Sequence, residues 1–269
     1  MTGRPKILYY CQSLVGIGHL ACSLRIIEAL LPQADVDLVQ GGIGDASHLV
    51  RAGFRSVRLP ALLHDETSGA LHDPDMQRDT DAVWLARAAA IDRFLRMPYD
   101  AIVVEHYPFG RRRFKREILG LFDTVRESSG AVPIFASVRD VLVPREADAE
   151  RRMLASIRKH IHTVFVRGDA AVLRLGETYT LAAEIADRIC YSGYIAPPPL
   201  ADPPPRTPRI LVSRGGGEVG DELLHAAIGA AALMPDRPFL LAAGVRTSAA
   251  ALGRLRSSVR SANVRIAPF

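Results

Sequence analysis

Cysteine is scarce in this chain. Cys11, Cys22 and Cys190 are the only three in 269 residues, an odd number at spacings that match no metal-ligand pattern. That argues against a disulfide-stapled scaffold, and the three read as reduced, mostly buried thiols. Aromatic residues make up only 6% of the chain, and none interleave with basic residues as a base-stacking platform would, so no nucleic-acid partner is expected. Long apolar runs are missing as well. After Met1–Lys6 only five apolar or aromatic residues precede Gln12, fewer than a signal-peptide core or a membrane span needs, which predicts a cytosolic working compartment.

What the chain does have is apolar content, at 48%, with 23% charged residues, enough for one large domain or two ordinary ones. Its net charge of +5 comes largely from arginine and suits phosphorylated small molecules or an anionic lipid surface. Strand-like runs at Ile7–Cys11, Val36–Val39, Ala101–Val104, Pro133–Val138 and Thr163–Val166 alternate with helical spacing at Leu20–Leu31, Asp81–Arg96, Phe114–Ser128 and Ala147–His160. Repeated strand-then-helix order predicts an α/β fold with a parallel, doubly wound sheet. Leu62–Thr80, rich in His, Asp and Gly, reads as a long loop. Ala196–Pro208 holds seven prolines and reads as a stiff linker, giving domains 1–195 and 209–269. Beyond it the pattern restarts with Arg209–Ser213, a helix from about Glu218 to Leu233, Phe239–Ala242, a helix Ser248–Val259 and a strand Val264–Ile266.

Two glycine-rich turns each follow a strand and precede a helix, the arrangement by which a parallel sheet offers backbone N–H groups to an anion. In the first, Gly16-Ile17-Gly18-His19, the helix N-terminus favours a neutral imidazole at His19, able to accept a proton. Its competing role is a helix cap. The second, Ser213-Arg214-Gly215-Gly216-Gly217, is the stronger diphosphate cradle, and it lacks the Gly-Lys-Ser/Thr ending of a P-loop. About fifty residues follow it, so the second domain is expected to be partial.

Ligands of an open parallel sheet bind at the carboxyl ends of its strands. There the sequence places Gly16, Gly18 and His19, then Gly41-Gly42, Glu105-His106, Arg139-Asp140 and Arg167-Gly168-Asp169. Imidazole, carboxylate and guanidinium groups on one rim suit transfer to a hydroxyl or cleavage of a phosphate ester. Arg111-Arg112-Arg113-Phe114-Lys115-Arg116 sets five cations at a helix start, either as an anion site or as a solvated basic face. Asp35-Val36-Asp37 and Asp73-Pro74-Asp75 have metal-binding D-x-D spacing but sit at the wrong edge and in a loop, so no metal site is expected. Gly16–Ala21 also fits a dinucleotide fingerprint, yet strand two ends in Gln40 and offers no acid for a ribose, which disfavours a nicotinamide-dependent oxidoreductase.

Gly-Ile-Gly-His-Leu after strand one, Glu105-His106-Tyr107-Pro108-Phe109-Gly110-Arg111-Arg112, Ser137-Val138-Arg139-Asp140, Tyr191-Ser192-Gly193-Tyr194 and Gly215-Gly216-Gly217-Glu218-Val219-Gly220 together resemble a bacterial family of predicted glycosyltransferases. That family is similar to the family 28 enzymes, such as the N-acetylglucosaminyltransferase that makes lipid II. The resemblance implies a GT-B fold of two Rossmann-like domains, acceptor on the first and sugar nucleotide on the second. It implies an inverting, metal-independent hexosyl transfer from a nucleotide sugar, UDP-linked, with no separate cofactor. The implied roles are His19 as base with Glu105 orienting it, and Gly16, Gly18, His106, Arg111, Arg112, Arg139 and Asp140 on the acceptor. Ser213, Arg214, Gly215, Gly216 and Gly217 would hold the donor diphosphate. A lipid-linked or phosphorylated acceptor and contact with the inner face of a membrane are part of the same expectation. The family's base- and ribose-recognising residues fall after Phe269, so the transferase is expected to be an incomplete fragment; the alternative is a non-catalytic acceptor-binding or membrane-recruiting subunit needing a separate donor-binding chain.

Overall fold

The computed structural model describes residues 3–14, 17–42, 44–46, 51–64, 70–75, 77–197, 199–203, 205–215, 220–244 and 247–268, and divides after Pro197 into two compact units. Unit 1 runs β1 Lys6–Gln12, α1 Gly18–Leu30, β2 Asp35–Gly41, β3 Phe54–Arg58, β4 Leu63–His64, β5 Leu71–His72, α2 Thr80–Phe94, β6 Ala101–Glu105, α3 Lys115–Ser129, β7 Ile134–Arg139, α4 Ala147–His160, β8 Thr163–Arg167 and β9 Ile189–Tyr191. Seven of these strands form one parallel sheet in the order β3-β2-β1-β6-β7-β8-β9. The order reverses between β1 and β6, the kind of switch point at which such sheets open a crevice for ligands.

Alternation along the strands sorts the core onto two faces. Tyr9, Cys11, Val36 and Leu38 pack with Leu20, Leu24 and Ile27 of α1. Leu8, Tyr10, Ile102, Val104, Ala136, Val138, Val164 and Val166 pack on the other face with Val83 and Ile91 of α2, Ile118, Phe122 and Val125 of α3, and Ile157 of α4. Both faces of unit 1 are therefore covered, as a parallel sheet requires.

Unit 2 comprises β10 Ile210–Ser213, α5 Asp221–Leu233, β11 Phe239–Ala242, α6 Ala249–Ser258 and β12 Val264–Ala267, with a parallel sheet in the order β10-β11-β12. Its core joins Phe239 and Leu241 to Leu224, Ile228 and Leu255.

The α/β class and the parallel sheet are as the sequence predicts. Four elements are new. β3 reads Phe-Arg-Ser-Val-Arg and β9 is three residues long, so neither shows the apolar run that marks an inner strand. Leu62–Thr80 is not all loop: β4 and β5 pair antiparallel within it, and α2 begins at Thr80, capped by Asp79 accepting from the Ala82 N–H. Cys190, on edge strand β9, is exposed, against the expectation of buried thiols, while Cys11 is buried.

Candidate active site

The carboxyl ends of β1, β6 and β8 in unit 1 carry the densest chemistry. Glu105 is the last residue of β6 and has the same parity as Val103, which faces α1. Its side chain is fully buried and meets His19, in the first turn of α1, with Nδ1 2.8 Å from Glu105 Oε1. A carboxylate accepts, so Nδ1 carries the hydrogen, and in the neutral ring Nε2 is the acceptor. The His19 side chain is 26% exposed, enough for a substrate to reach it. Arg167 at the end of β8 donates from Nη2 to the same Glu105 oxygen at 2.7 Å. Glu105 Oε2 is buried with no partner among the described residues.

The run after Glu105 is a tight turn. His106 and Arg111 both hold positive φ, 64° and 60°, left-handed backbone that costs a residue bearing a Cβ about 1 kcal/mol. The Gly110 N–H closes the turn on the His106 carbonyl at 2.6 Å, and a Cβ at Gly110 would lie 2.5 Å from His106 Cδ2. Only glycine lets the chain pass the ring so closely. The His106 ring centroid sits 5.1 Å from that of His19. Burial, followed by the charges of Arg111, His19, Arg139 and Arg167, pushes the His106 pKa down to about 2, so this imidazole stays neutral.

Arg111 turns inward: its Nε donates to the Gln12 carbonyl at 2.5 Å, and burial lowers its pKa. Its Nη2 is buried with no partner among the described residues. Arg112, by contrast, is exposed on a short 3-10 turn that leads into α3. Arg139 is exposed at the end of β7, and Asp140 follows it half-buried, with Oδ1 accepting from the Val141 N–H at 2.8 Å. Gly18 opens α1, whereas Gly16 lies outside the described residues.

A second buried network underlies the first from the opposite face of β1. Arg87 of α2 is fully buried and forks onto Glu117 at 2.8 and 2.7 Å, while its other donors reach the Gln12 amide oxygen at 2.8 Å and the Pro60 carbonyl at 2.7 Å. Tyr10 donates to Glu117 at 2.5 Å. Burial acts to lower the Arg87 pKa, but the bonds to Glu117 and the proximity of Tyr10 outweigh it and hold the value above the ordinary one. The network fixes Gln12, whose carbonyl in turn receives Arg111. Sequence spacing gives no hint of it, because an arginine on a helix ordinarily faces water.

In unit 2, Ser213 ends β10 and its Oγ accepts from the Gly215 N–H at 3.1 Å. Gly216, Gly217, Glu218 and Val219 lie outside the described residues. Arg214 is a brace for this loop: Nε donates to the Ala243 carbonyl, Nη1 pairs with Asp221 at the start of α5, and Nη2 donates to Thr247 Oγ1 at 2.7 Å. Each guanidinium nitrogen thus makes one bond inside the unit, and two of the five N–H donors are not used by these three bonds. Gly244, at φ 92°, brings the loop after β11 against Gly215, where any Cβ would collide with the Gly215 carbonyl. A cavity of about 360 Å³ in unit 2 lies at the amino ends of β10–β12, lined by Arg209, Asp236, Phe239, Asn263 and Arg265, and includes none of the expected groups.

Three of the four D-x-D carboxylates are engaged otherwise. Asp37 accepts from Arg55 at 2.9 Å and Tyr99 at 2.7 Å, Asp35 from Arg4 at 3.0 Å, and Asp73 from Arg78 at 3.1 Å. Among the described residues no group of three or more His, Cys, Asp and Glu side chains could hold a metal ion, and no helix is long and apolar enough to cross a membrane.

No protein-family model and no curated protein matches the chain. Solved structures do. The glycotransferase of kitacinnamycin is 15% identical, with 99% of this chain aligned to 72% of that one at a TM-score of 0.56. A UDP-glucosyltransferase from Polygonum tinctorium capable of glucosylating indoxyl, in complex with 3,4-dichloroaniline, is 15% identical over 99% of this chain and 71% of its own, also at 0.56. LpCGTa, in complex with UDP, is 14% identical over 98% and 70%, at 0.52. The fold is GT-B-like. A GT-B-like fold accounts for two Rossmann-like units in one chain, and it leaves the chemistry to be argued from the site.

Proposed function

We propose that this GT-B-like chain transfers a hexosyl group from a UDP-linked nucleotide sugar to an acceptor hydroxyl, with inversion at the anomeric carbon and without a metal ion. The observation that carries the reading is the 2.8 Å contact between His19 Nδ1 and Glu105 Oε1 at the carboxyl edge of the unit 1 sheet. Glu105 holds the imidazole so that Nε2 accepts the proton of the acceptor hydroxyl as its oxygen attacks the anomeric carbon. The bond from that carbon to the diphosphate oxygen breaks, and its electron pair leaves with the diphosphate. Within unit 2 the N-terminus of α5 is the candidate for holding a diphosphate.

Arg139 and Arg112, both exposed, are the cations available to a phosphorylated or lipid-linked acceptor. Arg111 contributes through Nη2, its Nε being committed to Gln12. His106, neutral and against His19, shapes the acceptor side of the base. The run from Glu105 to Arg112 supports kinship with the family 28 enzymes, and work at the inner face of a membrane belongs to the same proposal. The UDP named with two of the solved structures supports the choice of nucleotide.

The test is incubation of the full chain with a panel of nucleotide sugars and acceptors, followed by NMR of the product's anomeric proton. Product of inverted configuration from a UDP-sugar supports the reading. Retention, or no transfer with any donor, refutes it.

A further inference from the structure

His19 and Arg167 converge on a single oxygen. Glu105 Oε1 accepts from both, at 2.8 and 2.7 Å, while Oε2 has no partner among the described residues. The carboxylate is fully buried and the arginine side chain is 7% exposed, so neither charge is much screened by water. Arg167 stands on β8 and Glu105 on β6, two strands apart at ~4.8 Å per strand. The guanidinium must therefore pass over β7. Ser137 stands in register with Glu105 on that intervening strand, and its small side chain leaves the passage open.

A buried carboxylate facing only an imidazole draws a proton onto it, forming an ion pair that is no longer a base. A guanidinium on the same oxygen opposes this, since arginine keeps its charge throughout the working range. Resting on the reading of His19 as the base, we infer that Arg167 is a positioning residue: it fixes Glu105 against His19 and shares the carboxylate's charge with it.

The other charged and titratable groups close to this contact are His106 and Arg111 in the turn after β6, Arg139 on β7, Tyr9 and Cys11 on β1, and Cys22 on α1. On the remaining side, the loop after β2 packs on Leu20 through Gly44 and carries Asp45. None of these is changed in the test below, so a shift in His19 reports the loss of the Arg167 guanidinium, and the Arg167→Lys and Glu105→Gln variants separate charge from contact.

The experiment is an NMR titration of the histidine rings in the full chain without substrate, eight signals in all, with His19 assigned by its loss in His19→Ala. In Arg167→Met, or in Arg167→Gln if the first does not fold, His19 is expected to take up its proton about one pH unit higher than in the native chain. In Arg167→Lys, which keeps the charge, it stays near the native position, and in Glu105→Gln it moves lower. The acid limb of the kcat/KM profile moves upward with the titration. If Arg167→Met and Arg167→Gln titrate with the native chain, or Arg167→Lys moves as far as they do, the inference is overturned. Because no donor is present, these shifts would stand even if the chain transferred no sugar, so failure of the base reading and failure of this inference are distinguishable.

Discussion

Replacing Arg87 by methionine should be the most damaging single change in unit 1. The side chain is fully buried, and its removal leaves the Glu117 carboxylate, only 8% exposed, without a countercharge. It also leaves the Pro60 carbonyl and the Gln12 amide oxygen without their donor and removes the guanidinium stacked near Trp84 and Phe114. Breaking a buried ion pair from one side costs about 3–5 kcal/mol, whereas replacing both partners by apolar groups of similar size is often close to neutral. Arg87→Met is therefore expected to lose about 3–5 kcal/mol, and Arg87→Met with Glu117→Met to lose less than the single change. Trp84 is the chain's only tryptophan and lies 5.4 Å from the Arg87 guanidinium, so its fluorescence during urea unfolding reports unit 1. A loss under about 1 kcal/mol in the single variant, or losses that add in the double, would refute the reasoning.

His106 stays neutral in the folded chain down to about pH 2, while its unfolded form takes a proton near the ordinary histidine value. Its depressed folded pKa gives stability that is complete above about pH 6.5 and is lost on acidification, at up to about 1.4 kcal/mol per pH unit. His106→Gln should flatten the dependence of the urea midpoint between pH 6.5 and 4.5, and an unchanged slope would contradict the assignment. Gly110→Ala drives a methyl group into the His106 ring and should cost about 1–3 kcal/mol by the same Trp84 assay, with displacement of the His106 NMR signal. Arg214→Ala should raise hydrogen exchange at Gly215 and Thr247 while leaving the Trp84 transition in place, because its bonds to Ala243, Asp221 and Thr247 lie within unit 2.

The inner strands were legible because burial on both faces forces continuous apolar runs such as Ile7–Cys11 and Ala101–Val104. The edges were not, since β3 alternates with arginine and β9 is too short to show a pattern. His19 and Glu105 could be nominated because parallel strands put their ends on one rim, yet their 2.8 Å contact depends on the path of the turn after Gln12. Arg167 was visible as a strand end but not as a partner of Glu105, because reaching across β7 is a property of side-chain length and sheet order. Arg87 was hidden altogether: its countercharge Glu117 is thirty residues away, on another helix. Arg214 stands before three glycines in the sequence, but its bonds to α5 and to the loop after β11 depend on the fold and leave no mark in the spacing.

The central claim is that His19 removes the acceptor's proton, and the direct measurement is UDP release from a UDP-sugar and acceptor by the native full chain and by His19→Ala. The account predicts release by the native chain and a fall of roughly 10²-fold or more in the variant, the range set by loss of a general base. Equal release by both, or none by the native chain with any donor, would contradict it.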